Sequence, residues 1–146
     1  MFEAVLANRP ASPLDFDQRL RALHGFLKLS DAQSLAAANK RISNILKKVD
    51  GAIGGEVEQK LLSEAAEKKL FIQLQSAETD TAPMFAARNY QDALTRLAVL
   101  RPTVDTFFDS VMVMSDDLKV RNNRLALLAR LRNVFLQVAD LSRLPG

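Results

Sequence analysis

Apolar residues recur along almost the whole chain at helical spacing, and no strand-like alternation of any length interrupts them. A short helix is predicted over Phe2–Ala7. It stops at Asn8-Arg9-Pro10, because proline disfavours helical geometry in the residue before it. With Asp15 as N-cap, Phe16, Leu20, Leu23 and Leu27 then form one stripe of an amphipathic helix reaching about Leu29. Ser30 or Asp31 caps a second helix containing LAAANKRISNILKK. Its residues Leu35, Ala38, Ile42, Ile45, Leu46 and Val49 share a sector, with Lys40, Ser43, Asn44 and Lys47 opposite and Arg41 and Lys48 flanking. Gly51, Gly54 and Gly55 end it.

A long helix is predicted from about Val57 towards Ser76. Its Glu58, Gln59, Lys60, Glu64, Glu67, Lys68 and Lys69 are mixed in sign, as suits a solvated outer face. Pro83 bends or restarts the chain between Ala77 and Arg88. Asn89 caps a helix that turns Tyr90, Leu94, Leu97 and Ala98 inward. Pro102 fits the first turn of another, in which Val104, Phe107, Phe108, Val111 and Met112 repeat at core spacing. The last helix, from about Asp117 to Leu144, is apolar over more than half its circumference and so is expected at the centre. The fold class is all-α, a bundle of about six helices in one domain over residues 1–146.

Composition removes most chemistry. No run of about 18 apolar residues could span a bilayer. Met1-Phe2-Glu3 lacks the basic flank of a leader, so the chain reads as cytoplasmic with no membrane partner. There is no cysteine and one histidine, which leaves no thiolate site, no ligand cluster for a metal and no nucleophilic triad. His24 lies at the edge of its stripe and reads as a partly buried polar residue. The three glycines lack the lysine of a phosphate loop. The carboxylate pairs Asp105/Asp109 and Asp116-Asp117 are placed near helix N-termini, where the dipole favours acids. The chain is read as non-catalytic by itself.

Charge is unevenly spread. Residues 1–48 carry eight Lys/Arg against four Asp/Glu, residues 49–100 five against eight, and residues 101–146 seven against five. The cations of the second helix could neutralise phosphates while its asparagines pair with base edges or sugars. A merely solvated helix face is the alternative.

The stretch NYQDALTRLAVLRPTVDTFFDSVMVMSDDLKVRNNRLALLARLRNVFLQVAD, with LAAANKRISNILKK and DFDQRLRAL, resembles the C-terminal region of the bacterial glycyl-tRNA synthetase β subunit. That region is a helical anticodon-binding domain of the DALR type, related to the C-terminal domain of arginyl-tRNA synthetases. The resemblance runs from about Phe2 to Leu144, with a less familiar patch at Val49–Glu58. It implies a domain excised from a longer β subunit, Met1 being an added start. It also implies an enzyme of two α and two β chains in which α activates glycine. No cofactor is implied for this domain, and ATP and Mg only for the whole enzyme. The partners implied are glycine tRNA, the remainder of the β subunit and the α subunit, with no DNA.

Residues in matching motifs are Asn39, Lys40, Arg41 and Asn44 in the second helix and Arg121, Asn122, Asn123 and Arg124 in the last. Adding Lys47 and Lys48 from the same polar face, and setting Arg124 aside, gives the candidate RNA-binding set Asn39, Lys40, Arg41, Asn44, Lys47, Lys48, Arg121, Asn122 and Asn123. Arg124 points into the apolar sector, which makes it a structural residue paired with a carboxylate such as Asp105 or Asp109. Glycine codons are GGN, so the anticodon ends in two cytosines. Their amino donors call for carboxylate or amide acceptors and their acceptors for Arg or Lys. Tyr90 and Phe85 are aromatics that could stack on bases, although packing is favoured for both. Two rivals remain: a protein-interaction module with an incidental basic face, and a general RNA-binding bundle.

Overall fold

The computed structural model describes residues 13–29, 32–48 and 56–138. The expected Phe2–Ala7 helix, the Ser30/Asp31 cap, the glycine break at 51–55 and the far end of the last helix lie outside them. Within them are six α-helices, α1 (Pro13–Leu27), α2 (Ala32–Lys47), α3 (Ala65–Ala86), α4 (Tyr90–Ala98), α5 (Arg101–Ser110) and α6 (Leu118–Leu136), and a 3-10 turn at Gln59–Leu61. Helices pack on helices around one core, as the all-α reading requires.

α6 is the centre. Its six consecutive residues Asn123–Leu128 are all buried, as the wide apolar sector predicts. Asp117 caps it by accepting from the backbone N–H groups of Lys119 (3.0 Å) and Val120 (3.4 Å). Leu23, Leu35, Ile42, Leu70, Leu74 and Phe107 of the other helices join its apolar residues in one core, all fully buried.

Several local expectations are corrected. α1 begins at Pro13, whose fixed φ suits a first turn, so Asp15 lies inside the helix rather than at its cap. Buried there, Asp15 accepts from the Tyr90 hydroxyl and from Arg19 Nε (2.8 Å). Arg19 also donates to the carbonyls of Gln137 (2.7 Å) and Val138 (3.3 Å), closing the C-terminal end of α6 with a cation. His24 is exposed. The helix expected from Val57 starts instead at Ala65, where Glu64 and Glu67 form a capping box. Pro83 does not break it. α3 ends in a Schellman turn, with Asn89 N–H on Met84 O (2.8 Å), Arg88 N–H on Phe85 O (3.0 Å) and Arg88 at φ 59°. α5 ends at Ser110, so Met112 leaves the core stripe and is exposed.

The largest correction concerns Glu67. Expected on a solvated face, it is 0% exposed and accepts from Arg124 Nη2 at 2.8 Å. Arg124, 6% exposed, therefore pairs with α3 and not with Asp105 or Asp109. Ser63 and the Glu64 N–H also approach the same carboxylate oxygen, at 3.4 and 3.1 Å, while Arg124 donates its other Nη to Met112 O. Burial pushes the Glu67 carboxyl up, but Arg124 and the Glu64 N–H outweigh it and hold it below its ordinary range. Asp15 behaves alike, with Tyr90 and Arg19 overcoming burial. A second pair, Arg130 to Glu78 (2.6 Å), joins α6 to α3 further along.

Arg124→Ala is expected to destabilise the chain by about 3–5 kcal/mol, because Glu67 stays buried without its counter-charge. Glu67 Oε2 and Arg124 Nε are already buried without hydrogen bonds. Replacing both residues with Leu and Met should therefore recover most of that loss. Urea unfolding of the two variants measures this, and an Arg124→Ala chain as stable as the parent would contradict the assignment.

Acid should unfold the chain through the same groups. Glu67 and Asp15 hold protons less tightly folded than unfolded. Their contribution is thus complete above the ordinary carboxylate range of about pH 4–5 and is lost as pH falls below it. Asp15→Asn is expected to be less stable at pH 7 and to show a shallower decline between pH 5 and 3 in thermal melts. A decline as steep as the parent's would remove Asp15 from this role.

Candidate nucleic-acid interface

The inner side of α2 is fixed by Leu35, Ala38 and Ile42, which are buried, with Ile45 and Leu46 half-buried against the core. That leaves Lys40, Arg41, Asn44, Lys47 and Lys48 exposed together on the outer side. Four cations and an amide within two and a half turns form a polyanion-sized face. Ser43, expected on this face, is buried because α6 lies against it, its hydroxyl accepting from Arg132 Nε at 3.0 Å. Arg132, half-buried, thereby brings a further guanidinium beside α2. Sequence periodicity could not show it, since only the packing register of α6 on α2 places it there.

Asn39 lies on the inner side, 3% exposed, and donates to Leu35 O at 2.9 Å. Arg41 stacks its guanidinium 4.5 Å from the centroid of the Phe108 ring on α5. A cleft of about 360 Å³ opens beside them, with Ser34, Ala37, Asp105 and Asp109 in its walls. Asp105 and Asp109 are not near the helix start as expected: Asp109 stands in the last turn of α5, and Asp105 pairs with Arg101 at 3.4 Å.

The candidates on α6 lie in a separate place. Asn122 is exposed and Arg121 half-buried with its Nε buried and unbonded. Asn123 is buried and holds the backbone of Glu58 from both sides, accepting from its N–H (2.7 Å) and donating to its carbonyl (3.1 Å). Asn122 and Asn123 border a cleft with Glu56, Glu58, Lys60 and Lys119, which shares no residue with the α2–α5 cleft. There Glu56 and Glu58 offset Lys60 and Lys119, so it is a poorer seat for phosphate than the outer face of α2. Tyr90 is buried under Arg19, 4.8 Å from its ring centroid, and offers no face for stacking. Phe85 is half-buried, 6.4 Å from Tyr90. Among the described residues, no three His, Asp or Glu side chains group as metal ligands. No helix among them is long and apolar enough to cross a membrane.

The family described as the DALR anticodon binding domain matches residues 35–141. The glycine–tRNA ligase beta subunit of Aeromonas salmonicida is 58% identical over 141 residues, 97% of this chain and 20% of that protein. That of Shewanella amazonensis is 57% identical over 141 residues, again 97% and 20%. That of Marinobacter nauticus is 56% identical over 146 residues, 99% of this chain and 21% of that protein. The chain thus spans about a fifth of the length of these relatives.

Asn123→Ala is expected to act on structure. It should lower stability by about 1–3 kcal/mol, as loss of a buried hydrogen-bonding group does, and speed exchange of the Glu58 amide. Hydrogen exchange by NMR reads this directly. An unchanged Glu58 protection factor would contradict the anchoring role.

Proposed function

Since the chain belongs to the DALR anticodon binding domain family, we propose that it binds the anticodon arm of glycine tRNA as part of a glycine–tRNA ligase beta subunit. The observation that carries this is the exposed row Lys40, Arg41, Asn44, Lys47 and Lys48 on a helix whose other side is locked into the core. These residues are the proposed RNA contacts, with Arg132 alongside. Arg121 and Asn122 are peripheral contacts, while Asn39 and Asn123 support the surface from within. Lys and Arg set the affinity through phosphates, and Asn44 can reach sugars or base edges.

The proposed partners beyond RNA are the remainder of the beta subunit and an α subunit, in the cytoplasm. Aminoacylation, with its ATP and Mg, belongs in this reading to the assembled enzyme, and this chain alone performs no chemistry. One observation favours a protein contact as a second reading. A cleft of about 1010 Å³ runs between the Gln59–Leu61 turn, α3 and α6 and mixes Glu56, Lys60 and Arg130 with Phe71 and Ala129. Such mixed lining suits a protein surface better than a polyanion.

Lys40→Ala with Lys47→Ala is expected to weaken binding of glycine tRNA and to lower the slope of log affinity against log salt by about 1.4–1.8, at about 0.7–0.9 per phosphate contact. Melting should not change, since both side chains are exposed. An unchanged slope would remove α2 from the RNA face, and a salt-independent parent would favour the protein-interaction reading.

A further inference from the structure

We infer that the cleft between α2 and α5 is a base-reading subsite: an unpaired cytosine stacks on Arg41 and gives its exocyclic amino hydrogen to Asp109. The inference rests on the RNA-binding reading above and adds which residues select the base.

The platform is built from the core outwards. Phe107 is fully buried, and Phe108 packs edge-on against it, with ring centroids 5.6 Å apart and planes at 81°. Phe108 in turn carries the Arg41 guanidinium 4.5 Å from its centroid. Arg41 is exposed while its guanidinium carbon lies over the ring, so the group is both braced by Phe108 and accessible from solvent. An arginine braced on a ring in this way loses less freedom than a free one when a base stacks on it. Guanidinium planes are a common seat for unstacked RNA bases.

The carboxylates decide what the cleft accepts. Asp105 is engaged by Arg101, whereas Asp109 is exposed at the same rim. A phosphate entering here would meet like charge, so the backbone belongs on Lys40, Lys47 and Lys48 and a neutral, donor-bearing group belongs in the cleft. Asp109 also stands in the last turn of α5, where the helix dipole disfavours an acid. Among pyrimidines, cytosine presents an amino donor to a carboxylate, while uracil presents a carbonyl oxygen that the carboxylate repels. The volume, about 360 Å³, lies at the small end of ligand sites.

The test uses this chain and two anticodon stem-loop RNAs by fluorescence anisotropy, one with the glycine anticodon and one with both terminal cytosines changed to uracil. The parent is expected to prefer the cytosine RNA by about tenfold or more, the size of a specific base contact. Asp109→Asn is expected to bring that ratio within about twofold, because an amide serves either pyrimidine, with melting unchanged. Arg41→Lys keeps the charge and loses the plane, so it should weaken the cytosine RNA while leaving the salt slope intact. Lys40→Ala should weaken both RNAs equally. An Asp109→Asn chain that keeps the parent ratio, or a parent that binds both RNAs equally, would overturn the subsite and leave RNA binding standing. Failure of the parent to bind either RNA would overturn the RNA-binding reading and the subsite together.

Discussion

An arginine on a largely buried helix is costly unless it finds a partner or reaches solvent. α6 carries Arg124, Arg130 and Arg132 within its span, and those partners organise the bundle. Arg124 reaches Glu67 and Arg130 reaches Glu78 on α3, while Arg132 reaches Ser43 on α2. Asn123 grips the backbone at Glu58, and Arg19 on α1 closes the far end of α6. Hydrophobic burial drives these helices together without specifying register. The polar ties specify it, because sliding α3 along α6 by a turn would leave Glu67 and Arg124 buried and unpaired.

The outer face of α2 is a product of that register. With Ser43 tied to Arg132 and Ile42 in the core, Lys40, Asn44 and Lys47 have no inward alternative. Packing α2 against α5 also brings Arg41 onto Phe108, and so joins the exposed cationic row to an aromatic-backed guanidinium. In the proposed reading the cationic row would supply affinity and salt dependence, and the cleft beside it the choice of base. Neither helix alone has both.

The elements that were legible in the sequence were those with a strong local signal. The stripes of α2 and α4, the Pro102 start of α5 and the Asp117 start of α6 follow from periodicity and helix-end chemistry, whereas the stripe of α1 is met only in part: Leu23 is buried, but Leu27 is exposed and Phe26 is buried in its place. The exposed Lys40, Arg41, Asn44, Lys47 and Lys48 follow from the same periodicity. What failed depends on tertiary partners. Glu67 sits among surface-like residues in the sequence, and only its pairing with Arg124 allows its burial. Asp15 looks like a cap, yet its acceptor role is set by Tyr90 on another helix. The start of α3 was misplaced because Val57–Leu62 has helical composition but is held in place by Asn123, far along the chain. Asp109 was assigned to a helix start because the end of α5 carries no glycine or proline to mark it.

The central claim is that the α2–α5 side of the bundle, and not the α3–α6 groove, meets RNA. Amide shift mapping of the isotope-labelled chain during titration with the glycine anticodon stem-loop tests it most directly. The largest shifts are expected at Lys40–Lys48 and Asp105–Asp109, with little change at Glu56–Lys60. Shifts concentrated at Glu56–Lys60 and Ala126–Asn133, with α2 unmoved, would contradict it.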